Sequence, residues 1–185
     1  LRGLVGSEMC IRDSIGGLNP LTFYRKMKDV ALFAFSTSSS AATIPVTLRT
    51  VNQDLGVNQN VASFVVPVGA TINMDGTAIM QGLATVFIAQ MSGIDLTLFQ
   101  YIQVVLLAVA TSIGTAAVPS AGTITLIIIL QQFNLPLEAI GIILAVDRVL
   151  DMIRTSVNVT GDAAIACIVA KTENQLDENI FNSKA

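Results

Sequence analysis

Asp147, Asp151, Arg154, Asn158 and Asp162 recur late in the chain at i, i+4, i+7, i+11 and i+15. At about 100° per residue they fall within a helical stripe of roughly 80°. A guanidinium presents parallel donors to a carboxylate, and a carboxylate three residues before it offers the opposite charge to an ammonium on the same face. The pattern suits a zwitterion that carries a second carboxylate. On a surface helix the same stripe would be a solvated face. The neighbours argue otherwise, because the run from Ala139 to Val169 is otherwise dominated by Ile, Leu, Val and Ala. Ionisable groups inside such a run are expensive and functional by default.

A second carboxylate stands in a comparable place. Asn73-Met74-Asp75-Gly76-Thr77 interrupts an apolar passage from Val61 to Met91. A carboxylate near mid-membrane costs about 2.5 to 3.5 kcal/mol on insertion scales, so Asp75 requires a cation or a partner. Gly76 permits a break in the helix, and the carbonyls freed there are cation ligands in discontinuous transporter helices. A tolerated kink beside Pro67 and Gly69 would explain the glycine but not Asp75.

The elements that must position these groups are apolar. Of 185 residues 52% are hydrophobic and 12% charged, with a mean hydropathy of +0.69, more than a soluble domain of this size needs. The formal charge of -3 and the lack of a basic run argue against nucleic acid. With no histidine, and with Cys10 and Cys167 far apart, zinc sites, thiol pairs and histidine catalysis are unsupported, and no hydrolase triad or phosphate loop appears. No enzyme chemistry is expected.

Residues 1–14 show no periodicity and are set aside as a leader foreign to the fold. In the next stretch Met27 to Phe35 and Ala41 to Leu48 flank Ser36-Thr37-Ser38-Ser39-Ser40. Each piece is well short of the roughly 20 residues of a span, which predicts a re-entrant helical hairpin over 21–51. A broken spanning helix follows over 57–91. Leu98 to Ile113 and Thr123 to Phe133, separated by the small residues from Gly114 to Gly122, make a second hairpin over 97–133. The last helix is expected over 137–171, and 173–185 reads as a polar cytoplasmic tail.

The fold expected is an all-α membrane protein built from two repeats of hairpin plus spanning helix. A hairpin returns to its own side while a spanning helix crosses, so the second repeat starts on the opposite face and is inverted. Arg25, Lys26, Lys28 and Arg49 flank the first hairpin and Lys171 and Lys184 follow the last helix, whereas 92–97 and 134–138 contain no lysine or arginine. By the positive-inside rule the first hairpin opens from the cytoplasm and the C-terminus is cytoplasmic. Such repeats place solute and ion sites near the midplane, where hairpin tips meet broken helices.

Four motifs in this order, Ser38-Ser39-Ser40-Ala-Ala-Thr43-Ile-Pro45, Gly69-Ala-Thr71-Ile-Asn73-Met74-Asp75-Gly76-Thr77, Ser112-Ile-Gly-Thr115-Ala-Ala-Val-Pro119-Ser-Ala-Gly122 and Asp151-Met-Ile-Arg154-Thr155-Ser-Val-Asn158-Val-Thr-Gly-Asp162, resemble those of the dicarboxylate/amino acid:cation symporters, the glutamate/aspartate transporter family. The resemblance runs from about Asn19 to Glu173 and corresponds to the C-terminal half of a member, its transport domain, here 15–172. It implies that six preceding helices, with the scaffold through which members form homotrimers, lie outside this sequence.

The resemblance also implies roles. Arg154, helped by Thr77, would take the solute's side-chain carboxylate, Asp151 and Thr155 its amino group, and Ser40 and Asn158 its α-carboxylate, with Ser39, Val118 and Gly122 at the hairpin tips around it. Na+ would be held by carbonyls of Gly69, Asn73 and Asn158 with the Asp162 carboxylate. A second ion would use carbonyls of Thr71, Ser112, Ile113 and Thr115 beside Met74, and a third Asn73 and Asp75. Oxygen ligation suits a hard cation, and no organic cofactor is implied. The implied protein is a multi-pass symporter of the plasma membrane that moves aspartate or glutamate with Na+ by elevator-like alternating access, in contact with lipid. Archaeal members carry arginine where this chain has Ser38 and animal members where it has Met152, so Arg148, one turn earlier, is a candidate accessory charge; the alternative is a structural ion pair with Asp147 or Asp151. Gln81 stands where animal members have the glutamate linked to proton and potassium coupling. A proton-coupled glutamate or C4-dicarboxylate carrier of the same family is the nearest rival, and a channel-like protein the rival from another class. A soluble helical binding module is the remaining alternative.

Overall fold

The computed structural model describes residues 18–183, and the leader expected over 1–14 lies outside them. The chain is helical: α1 Pro20–Thr37, α2 Ser40–Gln53, α3 Gln59–Ile72, α4 Asp75–Met91, α5 Leu98–Ile113, α6 Ala121–Gln132, a 3-10 turn Leu137–Ala139, α7 Ile140–Thr172 and α8 Glu178–Asn182. Local chemistry sets most of the ends. Asn19 accepts from the Leu21 and Thr22 amides with Pro20 in the first turn, the Ser39 hydroxyl accepts from the Ala42 amide, and Thr97 and Gln100 form a capping box. The passage expected over 57–91 is interrupted where Asn73 and Met74 leave helical geometry, at ψ 81 and ψ 47, and the helix restarts at Asp75.

α7 organises the rest, touching α1, α2, α3, α4 and α6. Its two ends belong to different apolar cores. Val159, Ala163, Ala166, Cys167 and Ala170 join Phe23, Met27, Val30 and Ala34 of α1 with Val51, Val61 and Val66. Ile140 and Ile143 join Met80, Ala84 and Ile88 of α4 with Leu126 and Leu130 of α6. The polar stretch between lies at the seam of the two cores. Burying apolar area is the dominant favourable term, so each core fixes its own end of α7 and the seam holds the charges that neither core accepts.

The segment after α7 folds back rather than trailing as a polar tail. Val57 pairs with Leu176 in a single antiparallel bridge, the Asn58 amide donates to the Gln175 carbonyl (3.0 Å) and the Asp177 amide to the Gly56 carbonyl (2.8 Å). Gly56 sits at φ 74 with the Asp177 carbonyl only 2.5 Å from where a Cβ would be, which demands glycine on both counts. The Lys26 ammonium donates to the carbonyls of Asp54 (2.8 Å) and Ile180 (2.7 Å) and to Ser183 Oγ (3.2 Å), and Phe181 is wholly buried in the first core.

Among the described residues no single helix is long and apolar enough to cross a membrane. α7 has the length, 33 residues or about 50 Å, but its middle carries Asp147, Arg148, Asp151 and Arg154, and the α3–α4 passage is split in two. The apolar surface sits instead on helix faces. Leu98, Phe99, Ile102, Val105, Leu106 and Val109 of α5 are 47–79% exposed.

Candidate functional site

The stripe on α7 is buried along its whole length: Asp147, Asp151, Arg154, Asn158 and Asp162 are 2–5% exposed. Arg154 Nη2 donates to the Asp151 carboxylate one turn earlier, while Arg154 Nη1 has no hydrogen-bond partner among the described residues. The other Asp151 oxygen accepts from the Ser120 amide (2.8 Å), and Asp147 accepts from the Thr123 hydroxyl. Two carboxylates of α7 thus tie down the turn that leads into α6.

That turn closes over the guanidinium. A Cβ on Gly122 would overlap Arg154 Nη1 and stand 2.9 Å from its Cζ and 3.0 Å from Thr77 Cγ2, so only glycine lets α6 approach this closely. Below it Gly76 makes a similar approach, its amide donating to Asn158 Oδ1 (2.8 Å), with the Arg154 carbonyl 2.6 Å from where its Cβ would be. Asn158 Nδ2 donates to Thr77 Oγ1 (3.3 Å) and lies against Met74 Sδ (3.3 Å). The restart of α4 is therefore stitched to α7 by an amide that satisfies one of the first free N–H groups of the helix.

The two inter-helix turns meet. Ser39 Oγ donates to the Ala117 carbonyl (2.9 Å), which also accepts from the Ala41 amide (3.4 Å). Between the turns, α4 and α7 lies a narrow chamber lined by Ser40, Met74, Thr77, Thr115, Asp151, Arg154, Thr155 and Asn158 among others, with about 10 Å³ of free volume. Gln81, fully buried, braces it from behind: its amide nitrogen donates to the Gly122 carbonyl (3.0 Å) and to Thr125 Oγ1, and its oxygen accepts from Thr111 Oγ1 (2.9 Å). One side chain so joins α4 to both α5 and α6.

Of the residues expected at the solute site, Ser40, Thr77, Val118, Gly122, Asp151, Arg154, Thr155 and Asn158 line this chamber, although Val118 is 53% exposed. Ser39 is not among the lining residues; its hydroxyl bridges the two turns instead. Arg148 is exposed and forms no ion pair with Asp147 or Asp151, so the structure brings it to neither role expected of it. The reason is angular: it stands about 100° from Asp147, off the buried stripe. Sequence reasoning passed over Thr123 as the partner of Asp147 and Gln81 as a brace, because the first depends on which face of α6 meets α7 and the second on which face meets α4.

The residues expected around cations divide into two neighbourhoods. Asn73 Nδ2 donates to Asp162 Oδ1 (3.1 Å), a Cβ on Gly69 would lie 2.7 Å from that oxygen, and one on Gly161 would lie 3.6 Å from Asp75 Oδ2. Asp162 is buried and Asp75 exposed. In the other neighbourhood α3 touches α5, which carries Ser112 and Ile113, with Thr115 just beyond and Met74 buried alongside. Thr71 and Ile113 are exposed, and the Thr71 hydroxyl donates to the Pro67 carbonyl (3.2 Å). Among the described residues no three of His, Cys, Asp and Glu cluster as a metal cage. A cation held here would draw on single carboxylates, amide oxygens and backbone carbonyls near the Asn73–Met74 break, oxygen donors that suit a hard ion.

Residues 9–172 match the sodium:dicarboxylate symporter family. The chain belongs to that family. It is 48% identical over 151 residues to an excitatory amino acid transporter of Caenorhabditis elegans and to excitatory amino acid transporter 2 of Homo sapiens, covering 82% of this chain and 30% and 26% of those proteins. Excitatory amino acid transporter 3 of Mus musculus is 48% identical over 167 residues, 90% of this chain and 32% of its own length. The chain thus spans about a third or less of these relatives. The family and the relatives are transporters, not enzymes.

Proposed function

We propose that this chain supplies the solute- and cation-binding part of a secondary symporter that moves acidic amino acids, such as aspartate and glutamate, across a membrane together with Na+. The observation that carries the reading is the Arg154 guanidinium, buried at the seam of two cores with one arm on Asp151 and the other unmatched at the chamber. An unmatched buried guanidinium calls for an anion, and a carboxylate fits its fork. In the loaded site the solute's side-chain carboxylate takes Arg154 and Thr77, Asp151 and Thr155 take the ammonium, and Ser40 and Asn158 take the α-carboxylate, with Ser39, Val118 and Gly122 at the rim.

Na+ travels as cargo. One ion sits among the carbonyls of Gly69, Asn73 and Asn158 with Asp162; a second among those of Thr71, Ser112, Ile113 and Thr115 beside Met74; a third uses Asn73 and Asp75 with a helix outside this chain. Ion binding orders the break in the α3–α4 passage and the second turn. With Gly122 against the guanidinium, the chamber admits a solute only when the turn from Gly114 to Gly122 lifts, and its small residues suit a gate. The loaded unit then slides across a scaffold in an elevator-like step.

The helix pairs α1–α2 and α5–α6 are read as re-entrant hairpins, and α3–α4 and α7 as the crossing elements of two inverted repeats, polar faces inward and apolar faces to lipid or scaffold. Lys26 contacts Ile180 and Ser183, so the base of the first hairpin and the C-terminal segment lie together. With the lysines and arginines counted above, that supports one cytoplasmic side for both. Trimers would form through the scaffold. Proton coupling in place of Na+ is disfavoured by Gln81, whose side-chain amide does not titrate and is used at both ends. Calorimetric titration of the full carrier with L-aspartate is expected to show saturable binding in NaCl and none in choline chloride. Equal binding in both salts would refute Na+ coupling, and flux without saturation would favour a channel.

A further inference from the structure

α6 begins without a cap of its own. Ser120, at φ 61, makes no side-chain hydrogen bond to the first turn, and α7 supplies the negative groups instead. Asp151 accepts from the Ser120 amide (2.8 Å), and Asp147, one turn earlier on the same face, accepts from the Thr123 hydroxyl. Thr123 and Asp147 are 2% and 3% exposed, and neither lines the chamber. Asp147 takes no part in the solute or cation contacts proposed above. A buried carboxylate is a costly way to satisfy a threonine, since valine opposite leucine would fill the same space with no charge to desolvate.

The two ties to α7 differ in what the solute does to them. Asp151 has one oxygen on Arg154 and the other on Ser120, so an ammonium that takes Asp151 competes with the Ser120 amide. The turn then loses that tie at the moment it must stay shut. The Thr123 contact lies outside the chamber and is untouched by the solute. Gln81 also holds the turn, through the Gly122 carbonyl (3.0 Å), but from α4 and with a neutral amide, whereas a hydrogen bond to a carboxylate is roughly twice as strong. Resting on the gate reading above, we propose that Thr123 and Asp147 form a solute-independent latch that holds the second turn closed over the loaded site. Thr123 is thereby a positioning residue, touching neither solute nor cation and acting on the solute through the turn. Lifting α6 lets water reach Asp147, so without the hydroxyl the lifted state gains at the expense of the closed one.

The test uses the full carrier in saturating Na+, with Thr123→Val, which keeps the shape without the hydroxyl, and Thr123→Ser, which keeps the hydroxyl. Thr123→Val is expected to release L-aspartate about tenfold faster and to speed hydrogen–deuterium exchange across 114–122 with aspartate bound, while exchange across α2 is unchanged. Thr123→Ser is expected to match the unaltered protein in both. Unchanged release by Thr123→Val would overturn the proposal, as would a serine variant as fast as the valine one. Faster exchange spread through α2 as well would mark a general loss of packing and overturn it too. Should Thr123→Val not fold, Asp147→Asn decides, since it keeps an acceptor without the charge; release no faster than from the unaltered protein would overturn the latch. Aspartate that binds the unaltered protein without slowing exchange across 114–122 would overturn the gate reading, and no aspartate binding at all the solute reading, each taking the latch with it.

Discussion

Replacing Gly122 with alanine adds one methyl group at the most crowded point of the chamber. It would stand 2.9 Å from Arg154 Cζ and 3.0 Å from Thr77 Cγ2, against the 3.4–4 Å of ordinary contact. Both neighbours must retreat by about half an ångström, and both are held in place. Arg154 is held on Asp151, and Thr77 stands in the first turn of α4 next to Gly76, itself packed on α7. Overpacking of this kind costs about 1 to 3 kcal/mol. The guanidinium is the far end of a flexible side chain and yields first, which places the cost toward the low end and on the group that grips the solute. At 1.4 kcal/mol per factor of ten, about tenfold weaker L-aspartate binding is expected. Gly114→Ala is the control, because its added Cβ would meet only the Thr111 carbonyl at 3.8 Å. Calorimetric titration in NaCl, with thermal unfolding of the same samples to separate fold damage, reads the difference. Gly122→Ala binding aspartate within twofold of both Gly114→Ala and wild type would refute the geometry on which the gate and the solute site rest.

Arg154→Ala removes the buried cation and leaves Asp151 without its ion-pair partner; acidic amino acid uptake is expected to vanish, and aspartate uptake at the wild-type rate would reject the assignment. Asp162→Asn keeps the shape and the contact with Asn73 but loses the charge, so the Na+ concentration for half-maximal aspartate binding should rise severalfold, which a sodium titration checks. Phe181→Ala empties a fully buried position in the first core, for a loss of about 3 to 5 kcal/mol read as a lower unfolding midpoint. A midpoint unchanged within a degree would show that the C-terminal segment does not pack there.

Periodicity alone made the α7 stripe legible: five polar residues within roughly 80° of an apolar helix have few places to go, and all five are buried. The serine-rich turn at Ser38–Ser39 and the interruption after Ile72 were legible too, because Asn, Gly and Ser punctuate apolar runs for backbone reasons. Arg148, about 100° from Asp147, stands outside the α7 stripe and is exposed. What the chain could not reveal by itself is which faces meet. That Asp147 finds Thr123, that one amide at Gln81 joins three helices, and that Lys26 reaches the carbonyls of Asp54 and Ile180 all depend on two separate cores fixing the two ends of α7. Side-chain pattern is a property of each helix taken singly, whereas contacts between residues dozens of positions apart exist only once apolar burial has set the helices' mutual angles and depths.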